Sequence, residues 1–442
     1  MSARLSRNLR WRLSVLWILE WGITGAILTY LPIYFTQNGL TVTQLGQLMA
    51  VSAVGLWVAP FVVGQVCDRW MATDRYLVIA HLLGGLALLA IPPATEQFRL
   101  TGEGFGYLLF LMGLYAAAYF PTIPLASSLT FRHLPNPDDQ FGGIRIWGTV
   151  GWVIAGLALS FWLGQEEARD SAEDVVPAVI AFLEDVAANL PETRPPESRD
   201  SFLLGAALSF ALAGFSLTLP YTPPIPSEDN TIAPLETLRM FKDRTFSVLI
   251  GISFLLAVVI PLYSLAVPKL IEQMLAERDL SSHWVPAVMT IGQISEFPAL
   301  LLLPFCLKRF GMKATFAMGM LAWVIRYGFF ALTKPVWLIL LGISFHGICH
   351  VFLVIVIQLY VDAACRKDLR ASAQNLFAFV TMGIAMPVGF VLAGLWGTAC
   401  HINNSGEANY ALFFLVPAGI ILVLTLAYWK WFIPPKSRTA EV

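Results

Sequence analysis

The sequence predicts an all-α membrane protein of twelve transmembrane helices arranged as two six-helix halves. Three observations carry this reading. Hydrophobic residues make up 57% of the 442 residues and charged residues only 13%, with a mean hydropathy of +0.69, a composition outside that of soluble globular domains. Apolar stretches of about twenty residues, the length that crosses a hydrocarbon core of roughly 30 Å, recur along the whole chain. Basic residues alternate between connecting segments as the positive-inside rule requires of an even number of spans.

The predicted spans are 13-36, 42-66, 76-94, 106-130, 145-164, 202-220, 246-268, 284-306, 314-333, 336-361, 372-396 and 409-432. Lipid offers no partner to backbone N–H and C=O groups, and the runs are too long and unalternating for barrel strands, so each is helical. Span one is read as retained: Arg4, Arg7, Arg10 and Arg12 precede an apolar run longer than a signal-peptide core, with no small-residue cleavage site. With both termini cytoplasmic, the inner side carries twenty basic residues and the outer side seven, and Arg326 is left inside a span. An odd helix count would destroy that asymmetry.

Two hydrophilic stretches punctuate the series. The outer segment 165-201 is acidic and holds an amphipathic run from Val175 to Leu190, expected as a short helix at the outer surface. The segment 221-245 contains Pro223, Pro224, Pro226 and Pro234 and reads as a cytoplasmic linker between an N-terminal half, 1-220, and a C-terminal half, 246-442. Two six-helix halves joined in this way describe a parallel-repeat secondary transporter, with its solute site near the midplane between them.

Several function classes are disfavoured. The formal net charge is -1 and no basic tract is present, so nucleic acid is not an expected partner. The five cysteines form no C-x-x-C pair, which gives neither a disulfide framework nor a zinc site. No phosphate loop, nucleophile elbow or H-E-x-x-H string occurs, so neither ATP coupling nor enzymatic hydrolysis is expected. No metal and no cofactor is expected; the energy source is a proton gradient.

Ionisable residues inside spans are costly and by default mark function. Glu20 lies in span one beside Trp17, Trp21 and Tyr30; Glu296 lies in span eight, Arg326 in span nine, and His346 with His350 in span ten. At a rise of about 1.5 Å per residue, the last four come close to the midplane and can share a cavity. Gln293 and Glu296 are three apart and His346 and His350 four apart, so each pair shares a helix face. The amide suits a polar solute and the carboxylate suits a proton. Burial and a neighbouring cation act on that proton in opposite senses. The alternatives are a direct Glu296–Arg326 ion pair that only fixes packing, and histidines that only bridge helices.

Short motifs add a resemblance. Gly64, Asp68 and Arg69 after span two match the G-x-x-x-D-R loop signature of the major facilitator superfamily, in which the charges hold one gating state; Lys308 to Lys313 is a weaker echo in the second half. The strings Ile144-Arg145-Ile146-Trp147-Gly148-Thr149, Gln293-Ile294-Ser295-Glu296 and Arg370-Ala371-Ser372-Ala373-Gln374 resemble the bacterial nucleoside:proton symporters of that superfamily, as do Tyr119-Phe120-Pro121-Thr122 and Ile325-Arg326-Tyr327. The resemblance implies a major facilitator fold and a nucleoside pocket lined by Arg145, Thr149, Trp152, Gln293 and Glu296. From the residues alone, Arg145 would be an ordinary cytoplasmic end charge.

The chain departs from the family pattern twice. Span seven offers Ile260 and Tyr263 where the family carries substrate-facing amides, and span ten has Val351 after His350 where a carboxylate is expected. The sequence therefore points to a proton-coupled importer of a nucleoside or related polar solute. It would be monomeric and multi-pass in the bilayer of a bacterial inner membrane, with Glu296 and His350 in proton coupling and His346 and Tyr263 among the pocket residues. The alternatives are a permease for a sugar or other hydroxylated metabolite and, further off, a transporter-like sensor.

Overall fold

The structure is a computed structural model that describes residues 5–58, 63, 66–67, 70–135, 137–164, 197–224, 244–364, 376–402 and 408–433. The gating residues Gly64, Asp68 and Arg69, the string 370–374, and most of the segments 165-201 and 221-245 lie outside the described residues. All regular structure among the described residues is helical.

Among the described residues, nine helices are long and apolar enough to cross a membrane. One of them, Ser282–Leu332, runs for 51 residues, more than twice the length one crossing needs. It is two spans meeting at Gly311, whose φ of 75° and ψ of 172° fall in a region open essentially only to glycine. The shorter Asp200–Ser216 and the broken pair Val42–Val51 and Val54–Val58 complete twelve crossing elements. In order they are α1 (Arg7–Gln37), α2 (Val42–Val51 continued by Val54–Val58), α3 (Thr73–Thr101), α4 (Phe105–His133), α5 (Pro137–Leu163), α6 (Asp200–Ser216), α7 (Arg244–Ala276), the two arms of Ser282–Leu332 as α8 and α9, α10 (Val336–Val361), α11 (Leu376–Ala399) and α12 (Tyr410–Trp431).

The helix ends differ from the sequence expectation where charge misled it. α5 begins at Pro137, so Arg145 sits two turns inside the helix instead of at its end. α7 runs on to Ala276 and takes Lys269 into its last turns. A hydropathy window stops at a charge, whereas a helix facing a cleft or another helix does not have to.

Small residues set the contacts that position the site. A Cβ on Gly151 would collide with the Ile18 carbonyl, which locks α5 onto α1, and a Cβ on Gly347 would collide with the Ser295 carbonyl, which locks α10 onto α8. The Gly347 N–H also donates to Ser295 Oγ at 2.8 Å.

Hydrogen bonds between the first six and last six helices gather toward one end of the bundle. Gln37 Nε2 donates to Glu272 Oε1 at 3.0 Å, Lys269 Nζ to Thr36 Oγ1 at 2.9 Å, and the Ala287 N–H to Ser160 Oγ at 2.9 Å; Thr43 and Thr398 hydroxyls lie 2.9 Å apart. Farther along α2 from that end, Trp57 Nε1 donates to Gly383 O at 2.6 Å. The bundle is closed at the end where α1 and α7 finish.

Candidate functional site

On α8, Gln293 and Glu296 turn the same way, and on α10 so do His346 and His350. The Gly347–Ser295 contact brings the two faces together. Glu296 Oε1 lies 3.3 Å from His346 Nε2, and the Gln293 amide lies 3.3 Å from the same nitrogen. The His346 and His350 rings stack with centroids 5.6 Å apart and 12° between their planes. The Glu296 and His346 side chains keep 16% and 18% exposure, and His350 is exposed, so the cluster faces open space within a helical bundle.

Arg326 does not pair with Glu296 directly. It is wholly buried behind His346, where Nε donates to Gly342 O at 2.9 Å and Nη1 lies 3.3 Å from His346 Nδ1. Its guanidinium covers the Tyr263 ring at 3.8 Å and Trp323 at 4.9 Å, a desolvated cation–π seat. A guanidinium only donates, so His346 Nδ1 accepts and its proton resides on Nε2, facing Glu296. The series Arg326, His346, Glu296 is thus a cation and an anion joined through one neutral imidazole.

Ligand atoms of Glu296, His346 and His350 lie within 4.8 Å of one another. No sequence spacing announces this trio, because its members come from two helices. In this geometry both His346 nitrogens already have neighbours, Arg326 on one side and Glu296 on the other.

Across from it stands α5. The Arg145 guanidinium lies over the Trp21 ring at 4.3 Å and the Trp17 ring at 4.8 Å, and it is within electrostatic reach of Glu296. Trp17 is itself fixed by donating to Thr130 Oγ1 at 3.2 Å. Thr149, one turn on from Arg145, is partly exposed, while Trp152 is buried at 4% exposure with its backbone against Gly25. Tyr263 of α7 is also nearly covered, its ring 6.2 Å from that of His346 and its hydroxyl against Met289 Sδ. Of the expected pocket residues, Arg145, Thr149, Gln293, Glu296, His346 and His350 are accessible, and Trp152 and Tyr263 form the wall behind them.

Val351, where a carboxylate was expected, is 1% exposed. It opens a π-helical turn, Val351–Ile355, which breaks the regular phase of α10 just after His350. Two features escaped the sequence reading. The Trp17–Trp21 clamp on Arg145 needs the α1–α5 packing to be seen. His81 of α3, an ionisable residue inside a span, was legible by the same rule that found Glu296.

Twelve helices with a polar, partly exposed cluster between the first six and the last six define a secondary transporter of the major facilitator type. Residues 7–201 and 178–437 match the family described as nucleoside H+ symporter. The chain belongs to that family. It is 28% identical over 392 residues to the putative nucleoside transporter YegT of Escherichia coli, covering 87% of this chain and 83% of YegT. It is 25% identical to the nucleoside permease NupG of the same organism, over 96% of both chains. A crystal structure of a variant of the nucleoside transporter NupG shares the fold at a TM-score of 0.80, with 24% identity, over 96% of this chain and 100% of that one.

Proposed function

We propose that this protein imports a nucleoside, or a closely related polar solute, together with protons by alternating access. The observation that carries the reading is the Glu296–His346 contact facing Arg145 across the cleft between the two sets of helices. Glu296 is the main protonation site, with His350 stacked beside its partner as the second. Gln293, Arg145 and Thr149 grip the solute, and Trp152 and Tyr263 back them. Protonating Glu296 removes the anion opposite Arg145, so solute and proton occupancy become linked through one electrostatic relationship.

The halves 1-220 and 246-442 rock about the linker 221-245, with Gly64, Asp68 and Arg69 holding one of the two states. Both termini are cytoplasmic, the protein acts as a monomer in a bacterial inner membrane, and the gradient replaces any cofactor. The bonded ends of α1 and α7 are then the outer gate, and the structure faces inward.

Uptake of labelled nucleosides into proteoliposomes, with and without an inward-acid gradient, tests this. Accumulation only with the gradient is expected. Equal uptake in both conditions overturns the coupling, and no uptake of any nucleoside overturns the solute class. Glu296→Gln keeps solute binding and loses accumulation. A sugar-type permease is the second reading, favoured by Tyr263 and Ile260 standing on α7 where the family places amides; sugar uptake in the same vesicles decides it.

A further inference from the structure

A second buried acid and base lie in the first six helices, apart from the cleft. Glu20 on α1 and His81 on α3 are both 0% exposed, with Glu20 Oε2 and His81 Nε2 3.2 Å apart. The other carboxylate oxygen, Oε1, accepts from Thr122 Oγ1 of α4 at 2.5 Å. The Glu20 carbonyl accepts from the Tyr119 hydroxyl at 2.5 Å, and that hydroxyl lies 2.6 Å from Thr24 Oγ1, which is partly exposed. The His81 carbonyl accepts from Ser209 Oγ of α6 at 2.9 Å.

The charges that face this pair are few. α1 contributes only Glu20 itself, flanked by Trp17 and Trp21; α3 contributes His81; α4 contributes the phenols of Tyr115 and Tyr119; α6 contributes the neutral Ser209. α5 contributes the cation, Arg145, which sits on Trp17 and Trp21 and acts electrostatically on Tyr119. Among the described residues, no lysine or arginine pairs with Glu20.

Neither protonation state of the pair is fully satisfied. With one proton, on Nε2, the imidazole is neutral and Nδ1 presents only a lone pair, but Glu20 leaves an uncompensated buried anion. With a second proton the pair is neutral overall, Glu20 becoming a carboxylic acid that faces Nε2, but the imidazole's own proton then sits on Nδ1, an atom without a hydrogen-bond partner. Two states with one unmet cost each form a switch that a small change in local field can throw, and Arg145 is the cation whose field changes when solute or Glu296 engages it.

We propose that Glu20 and His81 form a second proton-binding site, held in the first six helices and linked through Arg145 to the cleft. The step is the addition of one proton from water to a pair carrying a charge of minus one. This rests on the reading of the protein as proton-driven, but it assigns a proton to the half opposite Glu296 and a role to α1 and α3.

The test is infrared titration of the purified, lipid-embedded protein in the Glu296→Gln background, following the carboxylic-acid C=O band. A titrating band that vanishes in Glu20→Gln and moves its midpoint in His81→Gln is the expected result. A spectrum indifferent to Glu20→Gln over the whole titration overturns the proposal, because the pair is then a fixed structural contact. Should Glu20→Gln not fold, His81→Gln, which keeps the carboxyl, decides by its midpoint: a shift supports the site and an unmoved band overturns it. No solute is needed, so failure to transport nucleosides leaves this result interpretable. In wild-type background, Glu20→Gln reduces gradient-driven accumulation by about tenfold while solute exchange at equal pH persists; equal loss of both overturns the coupling role.

Discussion

His346 Nε2 lies 3.3 Å from Glu296 Oε1, and its other ring nitrogen faces the buried Arg326. This one imidazole separates a guanidinium from a carboxylate that would otherwise neutralise each other. Glu296 is therefore left accessible to a proton and to Arg145, instead of being consumed in a structural ion pair.

Replacing His346 with leucine removes the acceptor for Arg326 Nη1, whose Nη2 already lacks a hydrogen-bond partner. A buried donor left unmet costs about 1–3 kcal/mol. His346→Leu lowers the melting temperature of the purified protein, and the double variant with Arg326→Met regains most of it. A melting temperature unchanged in the single variant would show that the bond carries no stability.

Arg145 is held by two indole faces, and a guanidinium stacks where an ammonium does not. Arg145→Lys weakens solute binding by about tenfold at constant expression, a loss consistent with a desolvated cation–π contact of roughly 2 kcal/mol. Isothermal titration with the transported solute measures it, and affinity equal to wild type would remove Arg145 from the pocket.

The contact between α10 and α8 tolerates no side chain at position 347. Gly347→Ala forces the Ser295 carbonyl away and costs about 1–3 kcal/mol. It also displaces His346 from Glu296, so both thermal stability and uptake fall. Gly328→Ala, with open space around its Cβ position, serves as the control and leaves both unchanged.

Thr43 and Thr398 face each other across the closed end with hydroxyls 2.9 Å apart. In the double variant Thr43→Cys, Thr398→Cys, oxidation links α2 to α11 and stops uptake, and a reducing agent restores it. Uptake that continues with the crosslink formed would show that this end does not open during transport.

The span count was open to sequence reading because lipid forbids unpaired backbone polar groups and charge sorts across a bilayer. The same rule found Glu296, His346 and His350, since an ion inside a span is conspicuous. It handled Arg145 badly: a charge at the edge of an apolar run looks like a helix end, and only the start of α5 at Pro137 moves it into the interior. Trp152 was placed in the pocket by resemblance and Tyr263 by its position where span seven departs from the family pattern, and the packing leaves both nearly covered.

The sequence by itself determined the number of crossings, the class of protein and which side chains are out of place in lipid, because each of these depends on one helix and its solvent. Only the tertiary structure decided the partners: that His346 stands between Arg326 and Glu296, that Trp17 and Trp21 clamp Arg145, and that Glu20 meets His81. Those contacts join residues on different helices. Helix rotation and closeness are set by small-residue packing between helices, as at Gly151 and Gly347, and not by the hydropathy of either helix alone.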